Sequence, residues 1–196
     1  MDVRPLTDLY RVSERFRRSV NVAADLRDAG ALAGYVPTAM VRTLLRRVVS
    51  ELAREDGHRA WSITGPYGAG KSAFALFVSR VVGYPVDAGA RGLLERADRR
   101  LYDWMLQRAP VLQDGGFLVV PVVGSRQPLV RSLAAGLRSA AEGLPAGSAR
   151  LARVGEHLVE LDERGRRGKA IASDEVAEAV VGLAEAAVAE APGVAG

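Results

Sequence analysis

The sequence predicts an α/β fold: a partly complete parallel sheet, preceded by an N-terminal helical extension and followed by a helix-rich C-terminal half. Three observations carry this reading. The apolar stretches "AWSIT" and "FLVVPVVG" suit short strands covered by other elements. Apolar residues recur at helical spacing through most of the remaining chain. A glycine-rich stretch, "GPYGAGKS" at residues 65–72, joins the first strand to the helix after it. On this reading residues 1–58 form the helical extension and residues 59–196 the core.

The elements follow in order. Leu6, Leu9, Tyr10, Phe16 and Val20 make an apolar stripe behind the capping residue Thr7, with Arg11, Arg15 and Arg18 on another face. That basic face reads as solvated, with nucleic acid or a partner as the sharper alternative. After "DAGALAGYVP", Pro37 opens a helix whose apolar face includes Met40, Val41, Leu44, Leu45, Val48, Val49 and Leu52. The strand Ala60 to Thr64, the glycine loop and a helix from Lys71 to Val82 come next. "GYPVDAGARG" reads as a loop, and Leu93 to Arg108 as one amphipathic helix stopped by Pro110, with Trp104 in the core rather than a stacking platform. "FLVVPVVG" is the second strand, and helices follow at 128–143, 149–163 and 174–190, the last led by Ser173, Asp174 and Glu175.

Composition bounds the function. With 196 residues, 48% hydrophobic and 26% charged, the chain can bury one real core. No stretch approaches the length of a membrane span, and "MDVRPLTDLYR" lacks the apolar run of a signal peptide, so a cytoplasmic protein without membrane partners is expected. Cysteine is absent, which excludes disulfides and thiolate metal sites, and His58 and His157 lie too far apart in sequence to suggest a zinc cluster. The net charge of +4 is uneven: residues 1–59 carry 11 basic and 8 acidic side chains, residues 60–148 carry 10 and 6, and residues 149–196 carry 6 and 9. Only Lys71 and Lys169 among the 27 basic residues are lysines, so the lysine inside the glycine loop stands out chemically.

Gly65-Pro66-Tyr67-Gly68-Ala69-Gly70-Lys71-Ser72 fits G-x-x-x-x-G-K-[ST], the Walker A motif or P-loop, without a mismatch. A loop that wraps a phosphate must aim consecutive N–H groups inward, which glycines permit, and the following helix presents its positive dipole end to the same anion. The expected contacts run from Gly65 through Ser72 to Ala73 in the first helical turn. Lys71 is the catalytic candidate, reaching the β- and γ-phosphates, and Ser72 Oγ is the candidate Mg²⁺ ligand. The bland alternative is a glycine-rich turn with a solvated lysine. Tyr67 reads as covering the outer side of the loop, the alternative being a place beside the nucleotide.

These residues resemble P-loop NTPases of the ATP-hydrolysing kind, closest to AAA-type and signal-transduction ATPases; the firm similarity covers Ala60 through Val82. The resemblance implies ATP and Mg²⁺ as cofactors and hydrolysis coupled to conformational change. Upstream, "GYVPTAMVRTLLRRV" looks like the segment before the loop in origin-recognition-type AAA proteins, which implies Tyr35, Val36, Pro37 and Thr38 as adenine neighbours; equally, Pro37 is a simple helix start. The chain is also loosely similar to the front end of large bacterial ATP-binding proteins. Such families place an apolar strand ending in Asp-Glu, the Walker B motif, downstream. "LVELDE", with Asp162 and Glu163, is the nearest match but keeps helical spacing, and Asp114 precedes its strand instead of ending it. With only two strands in view, the core is expected to be truncated before the Walker B strand, as the N-terminal part of a longer ATPase. Two rival functions stand: a small-molecule or nucleotide kinase, against which there is no arginine-rich lid, and a nucleic-acid-binding or scaffold module using the basic N-terminal half. No Asn-Lys-x-Asp stretch appears, which leans the base towards adenine. A nucleotide is the expected partner, with a homo-oligomer and a nucleic acid left open.

Overall fold

Capping chemistry sets several helix starts. In the computed structural model, which describes residues 19–113, 115–124, 126–144 and 149–189, a short polar side chain accepts from a first-turn N–H at four of them. Asn21 Oδ1 caps α1 (Val22–Asp25), Thr38 Oγ1 caps α2 (Ala39–Leu52), Asp87 Oδ1 caps α4 (Ala88–Ala97) and Asp98 Oδ1 caps α5 (Arg99–Arg108). Helix α3 (Lys71–Val82) opens instead on Gly70, with no side-chain cap. A 3₁₀ turn, Pro110–Leu112, follows α5, and α6 (Leu129–Glu142), α7 (Ala149–Arg166) and α8 (Ser173–Ala189) are the remaining described helices.

The sheet is α/β only at its simplest. β1 (Gly83–Tyr84) pairs in parallel with β2 (Phe117–Leu118), in the register Gly83 to Phe117 and Tyr84 to Leu118. Gly116 makes the approach feasible: at φ 109° it lies so close to β1 that a Cβ would stand 2.5 Å from the Val82 carbonyl oxygen. Successive residues of β2 point to opposite faces and join different apolar clusters. Phe117 packs on the first cluster, where Leu45 and Val49 of α2, Phe77 and Val81 of α3, Leu94 of α4 and Met105 of α5 are buried. Leu118 packs on the second, formed by Leu137 of α6, Leu158 and Leu161 of α7, and Val176 and Leu183 of α8.

Several expectations need correction. Ala60 to Thr64 is not a strand: it runs without regular structure and lies exposed, because no neighbouring chain among the described residues pairs with it. The second predicted strand shrinks to Phe117–Leu118, since β1 is itself only two residues long. "GYPVDAGARG" is no loop: Gly83–Tyr84 is β1, and Ala88 starts α4. The helix expected over 93–108 is two helices, because Asp98 leaves helical geometry at φ −160° to cap α5. Trp104 is half-buried, partly in the first cluster and partly under Arg46, whose Cζ lies 4.5 Å from the ring centroid. The helix read around Thr7, with Arg11, Arg15 and Arg18, and the position of Asp114 lie outside the described residues.

Charged groups fasten the layers where they are buried. Arg91 is only 7% exposed, and its Nε donates to the Val81 carbonyl at 3.1 Å, bringing positive charge to the C-terminal end of α3. Burial pushes its pKa down, and its Nη2 finds no acceptor among the described residues. None of the described helices is long and apolar enough to cross a membrane.

Candidate functional site

The chain enters α3 through a turn that only glycines fit without strain. Gly68 has φ 78° and Gly70 has φ 83°, both left-handed, and a Cβ at either position would meet no atom within 4 Å. Backbone conformation, not crowding, therefore demands glycine there. The Ala69 N–H donates to the Pro66 carbonyl at 3.4 Å inside the turn, and the first helical bond runs from Phe74 N–H to the Gly70 carbonyl at 2.9 Å. An α-helix leaves its first-turn N–H groups without intrahelical acceptors, and here no side chain caps them. Lys71, Ser72 and Ala73 thus supply main-chain donors at the positive end of the helix.

Lys71 completes the turn. Its ammonium folds back to donate to the Gly65 carbonyl at 2.9 Å and the Pro66 carbonyl at 2.8 Å. Of three N–H donors, two hold the loop closed. The sequence-predicted residues Gly65 through Ala73 are therefore brought together, with Gly65 to Gly70 and Ser72 exposed. Tyr67 is 95% exposed, its hydroxyl oxygen 3.3 Å from Ser19 Oγ, on the outside of the loop.

The segment read as an adenine wall divides. Tyr35 stacks obliquely on Phe77 of α3, ring centroids 5.0 Å apart, and burial raises its phenol pKa. Pro37 is buried and its carbonyl accepts from Arg42 Nη1 at 2.7 Å. Thr38 is occupied as the cap of α2, while Val36 is 70% exposed. The Tyr35–Phe77 contact anchors this segment on α3, the helix that carries the loop.

Asp162 lies inside α7, not at a strand end. It is 4% exposed, with Oδ2 3.2 Å from Arg138 Nε and 2.9 Å from Arg166 Nη2, and Glu163 pairs with Arg167 at 3.2 Å. Both carboxylates are engaged by arginines in a helical bundle. Among the described residues no group of three or more His, Cys, Asp and Glu could hold a metal ion.

A cleft of about 690 Å³ opens at the far end of α3, lined by Leu26, Arg80, Tyr84, Val86, Val119 and Ala140. Twelve residues of helix put roughly 18 Å between the two ends of α3. The charged groups of the cleft are already paired: Arg80 with Asp87 at 3.1 Å and Arg27 with Glu142 at 3.2 Å. The chemistry on offer is at the other end, in the glycine turn. Comparison with protein-family models, with curated proteins and with solved structures returns no match.

Proposed function

We propose that the chain binds Mg·ATP through the turn at residues 65–73, as part of an AAA-type P-loop ATPase that couples hydrolysis to conformational change. One observation carries the reading: the residues of the Walker A pattern form a left-handed glycine turn that opens straight onto an uncapped helix N-terminus, beside a lysine. The fit to a polyphosphate is chemical. Gly68 and Gly70, with the first turn of α3, contribute main-chain N–H groups, Lys71 a point charge and Ser72 a hydroxyl suited to Mg²⁺. Bound Mg²⁺ would neutralise charge on the transferred phosphoryl group. The segment Tyr35 to Thr38, which the resemblance implies beside adenine, is tied to α3 by the contact of Tyr35 with Phe77.

Hydrolysis needs a carboxylate that polarises water. Asp162 and Glu163 are held by Arg138, Arg166 and Arg167, so this chain binds nucleotide far better than it turns it over. The test is equilibrium displacement of a fluorescent ATP analogue in the presence of Mg²⁺. ATP and inorganic triphosphate should both compete, adenosine should compete poorly, and Lys71→Ala should abolish analogue binding. Displacement by adenosine as effective as by ATP, or undiminished binding to Lys71→Ala, would refute a phosphate site.

A further inference from the structure

Helices α2 and α5 together carry Arg42, Arg46, Arg47, Arg99, Arg100 and Arg108 against only Glu51 and Asp103. That surplus equals the formal charge of +4 of the whole chain. The two helices lie side by side and run the same way. Arg42 Nε of α2 is 3.5 Å from Asp98 Oδ2 at the start of α5, and one turn later Arg46 covers the ring of Trp104. Arg100, Trp104 and Arg108 are spaced i, i+4, i+8 and so share one side of α5. Arg42 and Arg99 spend their charge on Asp98, Glu95 and Asp103. Arg46, Arg47, Arg100 and Arg108 are exposed and make no ion pair within 4.0 Å among the described residues, Arg47 being near enough to Glu51 for its charge to be felt there.

We infer that this face binds the phosphate backbone of duplex nucleic acid without reading base sequence. Concentrated like charge does nothing for the fold and raises the local concentration of a polyanion. Eight residues of α5 set Arg100 and Arg108 about 12 Å apart along the axis, a span in which one strand of a duplex presents three to four phosphates at about 3.4 Å each. Guanidinium groups suit phosphate, and stacking on Trp104 leaves the N–H edge of Arg46 available. An acidic peptide would want an apolar anchor as well. Trp104 offers none, being half-buried with its face under Arg46. The surface lies on α2 and α5, apart from residues 65–73, and is independent of the nucleotide proposal.

Fluorescence anisotropy with a labelled mixed-sequence 20-base-pair DNA duplex, the full chain and no nucleotide tests the inference. Four exposed guanidinium groups on phosphates predict a log–log salt slope of about −3.6, a roughly 150-fold loss of affinity between 50 and 200 mM salt. The variant Arg100→Gln/Arg108→Gln, which leaves the Arg46–Trp104 contact intact, should flatten the slope to about −1.8. Single Arg47→Gln, which alters no packed residue, should flatten it by about 0.9 even if the double variant folds poorly. No binding at 50 mM salt, an unchanged slope in Arg47→Gln, or competition by polyglutamate equal to that by unlabelled duplex would overturn it.

Discussion

Gly70 holds a left-handed conformation with open space around it, so an alanine there would suffer from its backbone alone. Gly70→Ala should cost about 1 kcal/mol in urea unfolding, whereas Lys71→Ala, which removes only hydrogen bonds to exposed carbonyls, should fall within about 0.5 kcal/mol of the parent. Phe77 is the opposite case: it is fully buried under Tyr35 in the first cluster. Phe77→Ala should cost about 3–5 kcal/mol by the same measurement, and it should also free Tyr35. These residues were legible to different degrees. The glycine turn ahead of α3 could be read because the G-x-x-x-x-G-K-[ST] pattern sets residue type at fixed spacing before a helix. Tyr35 was reached only through resemblance, and its packing partner Phe77 could not be read, because a contact across 42 positions leaves no local trace.

The helices were readable for a related reason. Their starts are written in Thr38, Asp87, Asp98 and Ser173, although the start at Asp87 was passed over inside a stretch of loop-like composition, and the break made by Asp98 because the apolar spacing runs on across it. Strands were not readable, since pairing depends on what lies alongside: "AWSIT" has strand composition but no partner, and Gly83–Tyr84 has turn composition but a partner in β2. At the same scale, α7 is tied to its neighbours by charge. Asp162 is buried between Arg138 and Arg166; water can recover the exposed Arg166 when the carboxylate is lost, and Arg138, whose Nε is buried, keeps Glu142 through its Nη1. Asp162→Ala should therefore destabilise by about 1–2 kcal/mol in urea unfolding, less than a fully buried pair would. Glu175 fastens α8 to α7: the Arg164 guanidinium, with help from the Ala172 N–H, holds its carboxyl below the usual carboxylate range. A lowered folded pKa means that this contribution is complete above the unfolded value and lost as pH falls through the folded one. Thermal unfolding followed from pH 7 to pH 3 should show a decline that is shallower in Glu175→Gln.

At the scale of the molecule, the described residues form two apolar clusters meeting at a two-stranded parallel sheet, with the glycine turn at one end of α3 and a cleft at the other. The coarse α/β class was legible, but the extent of the sheet was not, because two residues per strand lie below what periodicity can report. The proposed nucleotide site is the turn, and a ligand that binds there must stabilise the entire fold by mass action. The most direct measurement is thermal unfolding of the chain and of Lys71→Ala, each with and without 1 mM Mg·ATP. For a Kd of about 10 µM, the account predicts stabilisation of about 2.7 kcal/mol, or roughly 5 to 11 °C, in the parent chain and little in Lys71→Ala. An unchanged midpoint in the parent chain, or an equal rise in both proteins, would contradict it.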